Sequence, residues 1–456
     1  MTTKTPKPSH FPGPPPAGLP PWALVALYVA VGLAPLALAA LRDEPARGFW
    51  HELSSGLVMV AFAMTLAQFL LSGRFRSLSG KVGIDLTMRF HQLAAWSLLA
   101  FVLLHPFLYA LPTLVADPAA GFARLRGMFA SPGLRTGVIA WWLLVILVLT
   151  GVWKDRLPLR YELWRLSHGL GAAAIAGLSV HHALSVGTYA ADPALATFWA
   201  GLTAVALASL VHVYLVKPLL QRRDAYRVTA NAPAADRMWR VALEPESGRT
   251  PNFAAGQFAW ANLGHSPFSL TEHPFSISSA PAERPRIEFT IKEAGDFTNR
   301  VGEVPVGTRA YLDGPHGAFT PAGRPACRLV LIGGGVGFAP LLGILRQLAH
   351  DRWPHPVDVI YGNRVESQII GRDELDALAG RLEMRLNLVL SEPPPGWPGP
   401  TGDLTPEVLA ACLPERDQDA LYLVCGPVPM MNAVERGLVE LGIPAGRIVS
   451  ERFTYE

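Results

Sequence analysis

The apolar run at residues 88–111, MRFHQLAAWSLLAFVLLHPFLYAL, constrains the chain more than any other stretch. It exceeds the roughly 20 residues with which a helix crosses a bilayer, yet it carries two imidazoles, His91 and His105. Fourteen residues separate them. At about 100° and 1.5 Å per residue they return to within ~40° of one direction and climb ~21 Å. Both therefore share one helix face, one near each side of the hydrocarbon core. A second run, 163–186, repeats the pattern with His168 followed by His181 and His182, at separations of 13 and 14. Fourteen residues restore the face and 13 miss it by ~140°, which favours His182, with His181 the alternative if the helix bulges. A lone membrane histidine is more often a packed polar group, so His51 and His212 are assigned nothing. Four at matching depths are different, because polar groups in hydrocarbon are costly. Two such helices can hold two haems stacked across a membrane.

Further apolar runs at 22–41, 53–71, 134–153 and 195–216 bring the candidate spans to six. Hydrophobic residues make up 50% of the 456 and charged residues 16%, with a mean hydropathy of +0.27, too apolar for a wholly soluble protein. The net charge of +3 is too small to suggest nucleic-acid binding. Three cysteines are one short of the four thiolates an iron–sulfur cluster usually takes. All three lie in the C-terminal half, which fits a reducing compartment there. Residues 1–20 are Pro-rich and read as a disordered tail. Arg74, Arg76, Lys81 and Arg89, then Lys154, Arg156 and Arg160, then Lys217, Arg222 and Arg223 mark one side of the membrane. The positive-inside rule puts both termini in the cytoplasm. It also levels His91 with His168 near that face, and His105 with the 181/182 pair near the far one.

From about Tyr226 the texture changes to short alternating stretches at 238–243, 256–263, 287–292 and 308–312, separated by Gly and Pro. These predict a small antiparallel barrel. Then 327–332 reads as a buried parallel strand, leading into Gly333-Gly334-Gly335-Val336-Gly337-Phe338-Ala339-Pro340 and a helical pattern at 341–348. Strand, glycine turn and helix start aim backbone N–H groups at a phosphate. Pro340 stands where the dinucleotide fingerprint has its last glycine. Two more strands end in Gly362-Asn363-Arg364 and in Cys425-Gly426-Pro427, so polar or glycine-rich strand ends build a crevice at one sheet edge. The expected architecture is a multidomain membrane protein. It has a tail (1–20), a six-helix transmembrane bundle (21–217), a linker (218–225), an antiparallel β-barrel FAD domain (226–322) and an α/β parallel-sheet nucleotide-binding domain (323–456).

The paired histidines, HPFSISSAP at 273–281, GGGVGFAP at 333–340 and the closing CGP-x-x-MM together resemble the NADPH oxidase and ferric reductase family over roughly residues 50–456. That family fuses a six-helix di-haem domain to a ferredoxin–NADP reductase-like flavoprotein. The resemblance implies haem ligation by His91, His105, His168 and His182. It also implies FAD contacts from His273, Pro274, Phe275 and Ser276, with Ser276 near flavin N5. Lys292 and Thr298 would lie near the FAD phosphates, and Phe453, or alternatively Tyr455, would cover the flavin. Gly333, Gly334, Gly335, Gly337 and Pro340 would hold the nicotinamide dinucleotide's pyrophosphate, and Cys425, Gly426 and Pro427 would border the nicotinamide. Arg364 could meet the 2′-phosphate of NADPH, a slight lean over NADH, with Arg372 nearby.

The expected reaction passes electrons from cytosolic NAD(P)H through FAD and two b-type haems to an acceptor outside, a ferric ion or metal chelate. Its alternatives are superoxide production from dioxygen, delivery to a periplasmic partner protein, and a haem-free membrane-anchored flavin reductase. Arg124 and Arg126, in an expected outer loop, read first as ordinary loop charges and second as a lure for an anionic acceptor. The richness in Ala, Pro and Arg suggests a bacterial chain, hence a bacterial inner membrane.

Overall fold

The computed structural model describes residues 9–11, 13, 16–42, 45–71, 75–413 and 417–452. They form two compact units: Gly18–Lys217, and Pro218–Glu456 together with Met1–Ala17.

The first unit is helical. Its elements are α1 (Pro21–Ala40), α2 (Phe49–Leu71), the single turn α3 (Arg76–Ser79), α4 (Ile84–Ala116), α5 (Pro118–Ala130), α6 (Arg135–Val152), α7 (Tyr161–Ser185) and α8 (Pro193–Val211). Asp117 and Asp192 cap α5 and α8 by accepting backbone N–H bonds. α1 is apolar all round and buries only Gly32 and Pro35, leaving Trp22, Val25 and Leu33 exposed. A helix so exposed and so apolar needs lipid rather than water around it. α2 is the packed centre, contributing Phe62, Ala63 and Leu66 to the core.

Five helices, not six, are long and apolar enough to cross a membrane among the described residues. The run at 163–186 does form a helix of 25 residues, α7, but Glu162, Arg165, three histidines and several glycines and serines dilute its apolar content. The count of six is corrected to five on that ground.

A short α9 (Lys217–Gln221) spans the division at residues 217–218, and the second unit opens with an antiparallel sheet. Its strands are β2 (Tyr226–Ala235), β3 (Met238–Pro245), β4 (Phe258–Leu263), β5 (His273–Ser276), β6 (Ile287–Lys292) and β7 (Arg309–His316), ordered β5-β4-β7-β2-β3-β6. The expected barrel is an open half-barrel instead. β5 and β6 are its edges; the segment just after β5 reaches β6 through the isolated bridge Ile277↔Phe289 and the Ser278 N–H bond to the Glu288 carbonyl, and no ladder joins the two strands among the described residues. β5 has only four residues, too short for a ladder that would close the sheet.

The other layer is a parallel sheet of β9 (Leu329–Gly334), β10 (Val357–Asn363), β11 (Met384–Leu390), β12 (Leu421–Cys425) and β13 (Ile448–Ser450), ordered β11-β10-β9-β12-β13. Helices α10 (Ala339–His350), α11 (Arg372–Ala379), α12 (Pro406–Cys412) and α13 (Val428–Glu440) belong to this part. β9 and β12 are buried along their whole length, as strands covered on both faces must be. Within the segment expected to be a disordered tail, β1 (Ser9–His10) pairs with β8 (Pro325–Ala326), and Phe11 is buried against Trp353.

Candidate functional site: two histidine pairs and a switch-point crevice

Strand order reverses at β9, with β10 on one side and β12 on the other. Such a switch point leaves a crevice at the carboxyl ends of the strands, where open α/β sheets bind ligands. The predicted glycine loop and the Cys425-Gly426-Pro427 turn meet there, because Cys425 pairs in register with Gly333. A Cβ on Gly337 would lie 2.5 Å from Gly426 Cα, and one on Gly334 would lie 2.3 Å from Met430 Sδ. The two loops therefore touch backbone to backbone. Gly335 has a φ of +52° and open space where a Cβ would point. Pro340 sits in the first turn of α10, where a missing N–H costs nothing.

Tyr361 on β10 steadies this loop. Its ring stacks on Phe338 at 4.0 Å, its hydroxyl donates to the Gly335 carbonyl at 3.1 Å, and it accepts from the Ile370 N–H. Burial pushes its phenol above the ordinary value, so it stays a donor at neutral pH. The only sequence signal was an aromatic at a strand end. Cys425 is buried, and burial first, then the Glu451 carboxylate, pushes its thiol up to about 12. A thiol held neutral is a poor nucleophile, so Cys425 acts by its small size. Glu451, itself buried, packs on the turn at Gly317 and was missed because the expectation went to Phe453 and Tyr455. Those two residues lie outside the described residues.

β5 carries His273, Pro274, Phe275 and Ser276, all half-buried on an edge of the half-barrel. His273 stacks on Phe297 at 4.6 Å, which brings in Thr298, whose hydroxyl accepts from the Ala294 and Gly295 N–H groups. Lys292 ends β6 exposed. The segment after β5 meets the nucleotide layer directly, since a Cβ on Gly343 of α10 would lie 3.0 Å from the Ile277 carbonyl. Arg364 is exposed with its guanidinium 3.8 Å from Glu392. Arg372 is not brought to the same place: it pairs with Asp376 and lies over the Trp397 ring.

In the helical unit His91 and His168 face each other with ring centres 6.4 Å apart. That spacing would let the two imidazoles hold one metal centre together. His105 and His182 line one cavity of about 310 Å³, with Phe62, Trp141 and Trp199 among its walls. Nδ1 of His168 and of His182 is buried with no hydrogen-bond partner among the described residues. His181 is exposed and reaches Thr136 instead, at 3.3 Å. Among the described residues no group of three or more His, Cys, Asp or Glu side chains could hold a metal ion. Each histidine pair would offer two nitrogen donors to a metal centre. Gly137 makes the room for His182, as a Cβ there would lie 2.6 Å from its ring. We expect Gly137→Val to displace the His182 ring from this cavity, read as a lower thermal midpoint of the detergent-solubilised full-length protein.

A crevice at a switch point, here beside a half-barrel edge, is where an open parallel α/β sheet takes a nucleotide ligand. Residues 57–179 match the family "Ferric reductase like transmembrane component", and residues 331–436 match "Oxidoreductase NAD-binding domain". The chain is 35% identical to NADH-cytochrome b5 reductase 1 of Meyerozyma guilliermondii over 162 residues, 35% of this chain and 57% of that protein. To the Mycosarcoma maydis enzyme of the same name it is 30% identical over 247 residues, 52% of this chain and 75% of that protein. Elsewhere the matches span little more than half the length of the curated relatives. Among solved structures, the FAD/NAD-binding domain of Vibrio cholerae nitric oxide dioxygenase is similar at 21% identity and a TM-score of 0.46, over 50% of this chain and 98% of that one. The chain belongs to the ferric-reductase/cytochrome b5 reductase superfamily of NAD(P)H- and FAD-dependent oxidoreductases. It is a ferric-reductase-like transmembrane domain fused to an FAD/NAD(P)-binding module.

Two expectations are narrowed or corrected by these relatives. The matched membrane family is ferric-reductase-like rather than specifically a di-haem NADPH oxidase. The bacterial inner-membrane placement is overturned, since these curated relatives are fungal. Richness in Ala, Pro and Arg follows the coding nucleotides and exerts no physical constraint on compartment.

Proposed function

We propose that this chain takes electrons from NAD(P)H through a flavin and hands them, by way of its membrane helices, to an external acceptor such as a ferric ion or chelate. The observation that carries the transmembrane part is the 6.4 Å separation of His91 and His168, with His105 and His182 sharing a cavity beyond them. His91 with His168, and His105 with His182, would each hold one b-type haem. The edge strand with His273, Pro274, Phe275 and Ser276 would take the flavin ring, and the Thr298 turn with Lys292 its phosphates. The loop of Gly333, Gly334, Gly335, Gly337 and Pro340 would receive the dinucleotide pyrophosphate, with Cys425, Gly426 and Pro427 beside the nicotinamide. When bound, flavin supplies hydride-to-single-electron conversion and haem supplies single-electron relay. The protein's own part is to orient and to exclude water: Tyr361 fixes the loop carbonyl, and the neutral Cys425 thiol leaves a dry, small wall.

Arg364 would meet a 2′-phosphate. Arg364→Ala is expected to raise the KM for NADPH about tenfold, one charge-assisted contact, while leaving that for NADH unchanged. Steady-state kinetics with both nucleotides checks this. Equal effects on both would remove Arg364 from cofactor choice.

A second reading keeps the flavoprotein and makes the helices a haem-free anchor. It is favoured because the curated relatives match only 34–52% of this chain and carry the name NADH-cytochrome b5 reductase 1. The decisive experiment is a reduced-minus-oxidised visible spectrum of the detergent-solubilised full-length protein, with haem and flavin quantified per chain. About two b-type haems per chain are expected. Protein that binds FAD, oxidises NAD(P)H and holds no haem would replace the transmembrane reading with the anchored reductase.

A further inference from the structure

The helix beside the histidines carries a feature the function above does not absorb. Fourteen residues separate His91 from His105 on α4, and fourteen separate Ser54 from Gln68 on α2. Because His91 meets Gln68 while His105 meets Ser54, the two helices run antiparallel and repeat one contact at both depths. His91 Nδ1 lies 2.9 Å from Gln68 Oε1, and the Gln68 amide Nε2 donates to the Tyr28 hydroxyl at 2.9 Å. Since that N–H bond turns the amide oxygen toward His91, Nδ1 must be the donor. Nε2 is then left with its lone pair.

At the other depth, Ser54 Oγ donates to the His105 backbone carbonyl at 2.8 Å. His105 Nδ1 lies 2.9 Å from that same hydroxyl oxygen and 3.1 Å from the Ser54 carbonyl. With the hydroxyl proton spent, both oxygens face Nδ1 as acceptors and fix the same tautomer. Ser54 is fully buried and Gln68 nearly so, so water does not compete. The α7 partners are different, because Nδ1 of His168 and of His182 is buried with no hydrogen-bond partner among the described residues. Each pair thus joins one anchored imidazole to one that is held only by packing.

From this we infer that Gln68, backed by Tyr28, and Ser54 are positioning residues that orient the α4 histidines and tune one metal site each. The inference rests on the haem reading above. An acceptor on Nδ1–H makes the ring a stronger donor at Nε2. That stabilises the oxidised iron and lowers its potential, a lever that second-shell hydrogen bonds exert generally.

The test is potentiometric titration of the visible spectrum of the full-length protein, with haem per chain measured alongside. Gln68→Leu should move the midpoint of one haem upward and leave the other in place. Gln68→Glu, a stronger acceptor, should move that same midpoint downward. Tyr28→Phe should give a smaller upward shift at the same haem, and Ser54→Ala an upward shift at the other. Shifts of one sign for both Gln68 variants, or equal movement of both haems, would reveal a packing effect and overturn the inference while leaving the haems in place. A wild-type protein without haem would remove the functional reading and this inference together.

Discussion

Replacing Arg346 by methionine is expected to cost about 3 kcal/mol of stability, the low end of what losing one partner of a buried ion pair brings. Arg346 leaves α10 to meet Glu374 of α11 at 2.6 Å, Glu288 of β6 at 2.8 Å and the Ser278 carbonyl at 2.9 Å. Burial alone would pull its pKa down, but the Glu374 and Glu288 carboxylates hold it above the ordinary value. The variant leaves two carboxylates without their best partner. The loss stays at the low end because Arg240 lies 3.5 Å from both, and Arg286 pairs with Glu288 at 2.9 Å. The damage should show as a lower thermal midpoint for flavin release from the full-length protein, since Arg346 joins the half-barrel to the nucleotide layer. A midpoint within a degree of wild type would refute the clamp.

The same network predicts acid sensitivity. Burial pushes the Glu374 carboxyl up, yet Arg346 and Arg240 more than offset it and leave its pKa below the usual range. A carboxyl depressed on folding contributes its full stability above its unfolded pKa of about 4.3. That contribution is lost as pH falls through the folded value. Flavin release should therefore become easier below about pH 4.3 in the wild type, and Glu374→Gln should flatten that part of the profile.

Gly337→Val carries the other large effect, on nucleotide binding rather than on folding. The added Cβ would meet Gly426 Cα at 2.5 Å, Gly426 N at 2.7 Å and the Cys425 carbonyl at 2.8 Å, all of them backbone atoms that cannot swing aside. Overpacking of this kind costs about 1–3 kcal/mol. Expressed in the geometry of the crevice, that is roughly a tenfold to hundredfold rise in the KM for NAD(P)H. FAD content should stay at the wild-type level. Gly335→Ala is the control, because open space surrounds that Cβ and only its left-handed φ is strained. Equal losses in both variants would mean that backbone strain, not the touching of the two loops, governs binding.

Much of this protein is legible from local pattern. The glycine loop stands directly after its buried strand, β9, and the histidine-bearing runs at 88–111 and 163–186 fall on the helices α4 and α7. Each of these signals is local, a periodicity or a turn whose physics acts within a few residues. The fifth span was over-read because a long helical pattern was taken as an apolar one, although α7 is long without being apolar enough. The closed barrel was over-read because alternation reports strands and says nothing about whether two edges meet.

What sequence by itself determined is the order of parts: apolar helices with histidines fourteen residues apart, short strands, then a strand–glycine–helix unit. The tertiary structure alone decided which groups touch. Gln68 faces His91, Ser54 faces His105, Tyr361 holds the Gly335 carbonyl, and Arg346 ties β6 to α11. These partners are 23 to 58 residues apart in the chain. Periodicity cannot reach across such distances, because it records the face a side chain occupies and not what the opposing element presents to it.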